Sequence, residues 1–299
     1  MIPYGRQWID DADEAAVTAA LRSPFLTQGE RIQQFERALA ERVGARHCLV
    51  LANATAALHV VYAALGIEGR EGITSPNTFV AISNAMAYAG IKPRFAGIDP
   101  RTFNLDPDAA AKIINGNTGV IAPVHFAGLP ADMERFQNLA RKHGLRIVED
   151  AAHAIGSEYA GGGRVGDCRY SDATVFSFHP VKTMTTGEGG AVTTNDDDLF
   201  ERMLLLRSHG VERAPERMSA APGPWYYEQQ SLGFNYRMTE LQAALGVSQL
   251  AKLDRFAARR REIVEAYHQG LARLNWLTLP YVAGQTVCYH LFVLEIDFE

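Results

Sequence analysis

Short, nearly unbroken apolar runs alternate along this chain with segments whose apolar residues recur at steps of three and four, the two periods that separate buried strands from amphipathic helices. An acidic start, Asp10-Asp11-Ala12-Asp13-Glu14, opens a helix towards Leu21, its carboxylates set against the positive end of the helix dipole. A second helix begins at Gly29-Glu30, with the stripe Ile32, Phe35, Leu39 and Val43 and a stop at Gly44. The pattern then predicts a strand over 47–51, a helix over 55–65, a short strand ending at Ile73-Thr74, and a helix over 79–89 stopped by Gly90. A strand over 93–98, a helix over 107–114 with proline in its first turn, a strand over 120–124, a helix over 131–143 and a strand over 145–149 follow. Strands over 173–178 and 190–193 and a helix over 197–206 come next. Residues 212–230 are rich in Pro, Gly and Ala and read as a mobile loop; a long helical region runs from 239 to about 274, and 289–294 reads as a strand.

This β-α-β-α rhythm with apolar strands predicts an α/β fold: a mainly parallel central sheet with helices on both faces. The expected division is a large α/β domain over 1–250, with an N-terminal arm over 1–30, and the start of a smaller C-terminal domain over 251–299. At 47% hydrophobic and 21% charged, the composition is that of a globular protein. The net charge of −5 is interspersed and there is no basic run, so nucleic acid is not an expected partner. Residues 48–67 contain no Lys, Arg, Asp or Glu, but Asn53, Thr55 and His59 interrupt them and they read as strand, turn and helix, not as a membrane span. Met1-Ile2-Pro3-Tyr4 runs straight into a charged helix, so no secretory signal is read and a cytoplasmic location is expected. Cys48, Cys168 and Cys288 match no metal-ligand spacing and read as reduced thiols; no metal is expected.

In open α/β sheets ligands bind beyond the carboxyl ends of the strands. Lys182, in the loop after the strand that ends near Phe178, can form a Schiff base with an aldehyde. Asp150, at the end of the run Leu145-Arg146-Ile147-Val148-Glu149-Asp150, can keep a pyridine nitrogen protonated. A covalent tether and a partner for the ring nitrogen are what pyridoxal 5'-phosphate (PLP) asks of a protein. Around this pair, the backbone at Asn53-Ala54-Thr55 and the Thr55 hydroxyl suit a phosphate at a helix start, with a plain N-cap as the alternative. Ser177 can add a second hydroxyl, Phe79 can stack on a flat ring, and His153 can bond the Asp150 carboxylate, cover the ring, or simply be a satisfied core histidine. Asn235 reads most simply as a cap.

The set resembles fold-type I PLP enzymes, specifically the DegT/StrS family of nucleotide-sugar aminotransferases. The matching segments are Leu26-Thr27-Gln28-Gly29, Asn53-Ala54-Thr55-Ala56-Ala57-Leu58, Pro76-Asn77-Thr78-Phe79, Glu149-Asp150-Ala151-Ala152-His153-Ala154 and Ser177-Phe178-His179-Pro180-Val181-Lys182, followed by Gly187-Glu188-Gly189-Gly190-Ala191, Arg207-Ser208-His209-Gly210 and Gly233-Phe234-Asn235-Tyr236-Arg237-Met238. The resemblance implies an aminotransferase with Lys182 as the tethering lysine, Asp150 on the pyridine nitrogen, Phe79 stacked on the ring, and Ala54, Thr55 and Ser177 on the phosphate. It further implies a homodimer in which Asn235 reaches the neighbouring subunit's phosphate. On the substrate side it implies Tyr4, Pro24, Phe25, Leu26 and Thr27, with Ser177 and His179. Ile2-Pro3-Tyr4, Phe25-Leu26-Thr27-Gln28-Gly29 and Phe95-Ala96-Gly97-Ile98-Asp99 match most closely the members of pseudaminic acid biosynthesis, which aminate C4 of a UDP-linked 4-keto-6-deoxy-N-acetylhexosamine with glutamate as donor.

Family chains continue past a strand like that at 289–294 into a small C-terminal domain, so with Glu299 as the last residue that domain is expected to be incomplete. Four other readings compete. Another nucleotide-linked keto-sugar, aminated at C3 or C4, would need no change in the cofactor residues. A PLP sugar dehydratase would carry His where Lys182 stands. A nicotinamide dehydrogenase would need a glycine-rich turn where Asn53-Ala54-Thr55 has none. The last is a shortened, inactive binding or assembly protein.

Overall fold

The computed structural model describes residues 5–281 and 284–298. Its centre is a seven-stranded sheet in the order β1-β7-β6-β5-β4-β2-β3, with β1 His47–Leu51, β2 Glu71–Thr74, β3 Lys92–Phe95, β4 Thr118–Ile121, β5 Arg146–Asp150, β6 Ala173–Ser177 and β7 Gly190–Thr194. Only β7 runs antiparallel to its neighbours; the other pairings are parallel.

The helices are α1 Asp11–Leu21, α2 Glu30–Val43, α3 Ala54–Ala64, α4 Ala81–Tyr88, α5 Pro107–Ile113, α6 Met133–His143, α7 Asp197–Arg207, α8 Glu240–Leu250 and α9 Leu253–Leu271. They form two layers, and the alternation of each strand sorts its side chains between them. Val50, Ile121, Ile147 and Phe176 face the layer of α2, α5, α6 and α8, and their neighbours Leu49, Val120, Val148 and Val175 face that of α3, α4 and α7. Both faces are covered, so the strands read as continuous apolar runs. The expected α2 stripe of Ile32, Phe35, Leu39 and Val43 is buried, and Gly44 closes the helix in the left-handed conformation. Gly29 cannot cap α2 with a side chain; instead the buried Glu240 carboxylate, brought in by α8, accepts from the Gly29 and Arg31 N–H groups at 2.9 Å each.

Four expectations are corrected. Residues 289–294 form no strand: they pair with no strand among the described residues, and the His290 N–H donates to the Ala127 carbonyl at 2.8 Å. The chain pairs only afterwards, where β11 Glu295–Ile296 meets β10 Leu277–Thr278. The region from 239 to 274 breaks at Ala251-Lys252, where Lys252 turns inward to the carboxylates of Asp10 and Asp13. Residues 212–230 are not featureless: β8 Val211–Glu212 pairs with β9 Glu228–Gln229. Glu228 gathers the intervening turn, accepting from the Ser219 and Ala220 N–H groups and the Tyr226 hydroxyl. The strand expected over 93–98 is shorter, leaving the sheet after Phe95; its Pro93 is tolerated because β3 is an edge. Among the described residues no helix is long and apolar enough to cross a membrane.

Candidate active site

Strands β1, β5 and β6 end on one edge of the sheet, where β7 begins, and above that edge opens a cavity of about 980 Å³. Ala54, Thr55, Phe79, Asp150, His153, Ser177, His179 and Lys182 all line it. One wall is the start of α3. Asn53 caps that helix, its side chain accepting from the Ala56 N–H at 2.8 Å, so Ala54 and Thr55 hold the free first-turn donors. Gly190 lets β7 pass beneath: a Cβ there would meet Asn53 C and Ala54 N at 2.5 Å.

Asp150 lies at the floor, 6% exposed. One carboxylate oxygen accepts from the Ala152 N–H at 3.0 Å, and no described residue bonds the other. Burial pushes its pKa up, against the Ala152 bond and the positive charge of Lys182. Lys182 is carried by a tight turn in which its N–H donates to the His179 carbonyl at 2.9 Å. The loop is closed by the Phe178 N–H to Gly189 O and the Thr186 N–H to Phe178 O. The Lys182 amine has no hydrogen-bond or ion-pair partner among the described residues, and burial lowers its pKa although Asp150 opposes the shift. Site and pair are thus a half-desolvated amine and a buried carboxyl that feel each other's charge without touching.

His153 does not bond Asp150. Its ring lies against that of His290, centroids 4.4 Å apart. Phe79 stands at the mouth, 74% exposed, just before α4. Asn235 is exposed and outside the cavity, although its neighbour Tyr236 lines it. Pro24, Phe25, Leu26 and Thr27 are exposed and also outside it; their backbone is held by the Glu240 N–H to Leu26 O bond and a Thr27–Thr239 bridge. Tyr4 lies outside the described residues.

The model of the DegT/DnrJ/EryC1/StrS aminotransferase family matches residues 7–299. The chain belongs to this family. It is 42% identical over 280 residues to a UDP-4-amino-4,6-dideoxy-N-acetyl-beta-L-altrosamine transaminase of Campylobacter jejuni, covering 93% of this chain and 72% of that one. Among solved structures it resembles Helicobacter pylori PseC, an aminotransferase involved in the biosynthesis of pseudoaminic acid, with a TM-score of 0.92 and 37% identity over 99% of this chain and 78% of that one. A putative sugar aminotransferase from Streptococcus pneumoniae in its PLP-form matches with a TM-score of 0.88 and 27% identity over 99% and 78% of the two chains. The protein is therefore a sugar aminotransferase by family, on the family's PLP-dependent α/β fold; the family spans several substrates.

The residues present fit the family's cofactor. A helix start with two nearby hydroxyls suits a phosphate. A buried carboxyl with an open oxygen calls for a protonated ring nitrogen, and an unpaired amine stands beside it. The sequence reading missed the support under Asp150. Its neighbour Glu149, fully buried, accepts from His125 Nε2 at 2.7 Å, Tyr159 at 2.8 Å, Thr174 at 3.0 Å and Ser171. Burial pushes the Glu149 pKa up, but these bonds outweigh it and hold it below the usual carboxylate value. The Ala131 N–H donates to His125 Nδ1 at 3.0 Å, which leaves Nε2 to carry the proton it gives Glu149. The His125 N–H in turn holds the Asp150 carbonyl at 3.0 Å. Only the adjacency of Glu149 to Asp150 hinted at this.

Proposed function

We propose that this chain binds PLP and moves an amino group from an amino acid, glutamate in the first instance, to C4 of a UDP-linked 4-keto-6-deoxy-N-acetylhexosamine, as in pseudaminic acid biosynthesis. The observation that carries the chemistry is the meeting of Lys182, Asp150, Ser177 and the start of α3 in one cavity. The similarity to the Campylobacter jejuni transaminase and to PseC supports the sugar.

The cofactor, when bound, supplies an electron-accepting ring that stabilises negative charge at the carbon beside the transferred nitrogen. The chain's residues do the rest. Ala54, Thr55 and Ser177 would hold the phosphate, Phe79 would cover the ring, and Asp150 would keep the ring nitrogen protonated. Lys182 would tether the aldehyde, and its neutral amine would take the proton from the donor's α-carbon as a general base. Its lowered pKa suits both tasks, since only the neutral amine attacks a carbonyl or accepts a proton.

A homodimer is part of the proposal. Phe25, Phe79, Tyr88, Trp225 and Leu232 are all more than half exposed, and Leu232 reaches 87%. Of these, Phe79 and Tyr88 line the cavity, and large exposed apolar side chains at a site suit a surface that a partner covers. A second copy would bring Asn235 to the phosphate of its neighbour's site, and the segment from Pro24 to Thr27, with Tyr4 and His179, to the nucleotide-sugar side.

A spectral titration tests the reading. Glutamate should bleach the visible band of the PLP-loaded protein, and the UDP-4-keto sugar should restore it. If glutamate bleaches the band and only a different nucleotide-linked keto-sugar restores it, the sugar assignment fails; if glutamate leaves the band untouched, the donor assignment fails.

A further inference from the structure

The segment that ends the described chain crosses directly over the active site. The Glu158 N–H donates to Thr286 O at 2.9 Å, the Cys288 N–H to Ser157 Oγ at 2.9 Å, and the His290 N–H to Ala127 O at 2.8 Å. Gly128, at φ +99°, makes the crossing possible, because a Cβ there would meet Cys288 O at 2.3 Å. From α9, Arg260 Nη1 grips the carbonyls of Tyr289 and His290 at 3.1 and 3.3 Å. These contacts deliver the His290 ring into the same cavity as Lys182 and Asp150, against His153.

Neither imidazole makes a side-chain hydrogen bond to any described residue, and His153 Nδ1 and His290 Nδ1 are buried without a partner. Buried polar atoms are otherwise satisfied almost everywhere in folded proteins. Both rings are kept neutral, His153 with its pKa lowered to about 3 and His290 to about 2, chiefly by burial. A neutral imidazole still carries one N–H donor. The positive charges of Lys182 and Arg260 also bear on His290. Unused imidazole N–H donors beside positive neighbours suit an anion.

From this geometry we infer that His290 binds the α-carboxylate of the amino-acid donor, with Arg260 as its positioning residue. The donor's nitrogen must react where Lys182 stands, and its α-carboxylate is attached to the adjacent carbon, so that carboxylate has to lie beside Lys182. The inference rests on the aminotransferase reading and adds a residue from outside the motifs that carry it.

Donor binding can be measured apart from turnover with 2-methylglutamate, whose α-carbon has no proton to lose, by calorimetry on the PLP-loaded full chain. His290→Phe should weaken that binding roughly 10- to 100-fold, the worth of one hydrogen bond to a charged group, and leave UDP binding within about twofold. His290→Gln, which retains an N–H donor, should recover most of the loss. Arg260→Gln, which releases the two carbonyls, should weaken 2-methylglutamate in the same sense. Unchanged 2-methylglutamate binding in His290→Phe overturns the inference, and so does a loss confined to UDP, which would put the ring on the sugar-nucleotide side. Wild-type protein whose visible band ignores glutamate sinks the donor reading itself, so the two failures are told apart.

Discussion

Glu149→Gln is a severe change for one atom, because the buried Glu149 carboxylate accepts from four side-chain donors. His125 and Tyr159 donate to one oxygen, Ser171 and Thr174 to the other. A glutamine amide would turn its own N–H₂ towards one of these pairs, and all four groups would lose their charged acceptor. Losing hydrogen bonds to a buried, charged acceptor costs about 1.5–3 kcal/mol each. The penalty should depend on pH with a definite sign. The folded-state pKa of Glu149 lies below its ordinary value of 4.5, so its contribution is present above that value and is lost as pH falls through the folded pKa. Urea unfolding followed by circular dichroism should therefore show a gap between wild type and variant that is constant from neutral pH down to about 4.5 and closes below it. A gap under about 1 kcal/mol, no more than one ordinary hydrogen bond, would refute the network's importance. A gap that persists unchanged in acid would refute its dependence on the ionised carboxylate.

Lys182→Ala should abolish transamination while PLP still binds through its phosphate and ring contacts; the visible band should no longer be trapped by borohydride, and retained turnover would remove Lys182 from its proposed role. Gly190→Ala places a Cβ against the backbone of Asn53 and Ala54, which cannot swing aside as a side chain would. Overpacking of this kind costs roughly 1–3 kcal/mol and should displace the start of α3. The affinity for PLP, read by fluorescence titration, should fall; wild-type affinity would mean that this helix start does not hold the phosphate.

The reading of strands and helices succeeded where burial was two-sided. A run such as Cys48 to Leu51 has its partners in both layers, so its apolar content alone identifies it. It failed where an element needs a partner that composition cannot supply. Residues 289–294 have strand-like side chains but pair with no strand among the described residues, and the helical region after Thr239 is broken by Lys252, whose turn answers carboxylates at Asp10 and Asp13. The Glu149–His125 pair and the His153–His290 contact were invisible for a related reason. Each joins residues far apart in sequence, and a buried histidine looks the same in a string of letters whether it satisfies a carboxylate or waits for a ligand.

What made the site legible was strand parity joined to the order of the layers. Val148 and Val175 point to the layer of α3, so Asp150 and Ser177, two residues further on, emerge on that same side as their strands run out. The start of α3 carries Ala54 and Thr55 to the place those side chains reach. Glu149 has the opposite parity. Together with Ile147 it faces the other layer, where Tyr159 is also buried, and it can serve only as support. The two acids side by side at the end of β5 are therefore not interchangeable. One is turned towards a cavity where a cation is wanted and the other into a cage of donors, and a slip of one residue in β5 would exchange them and destroy both arrangements at once.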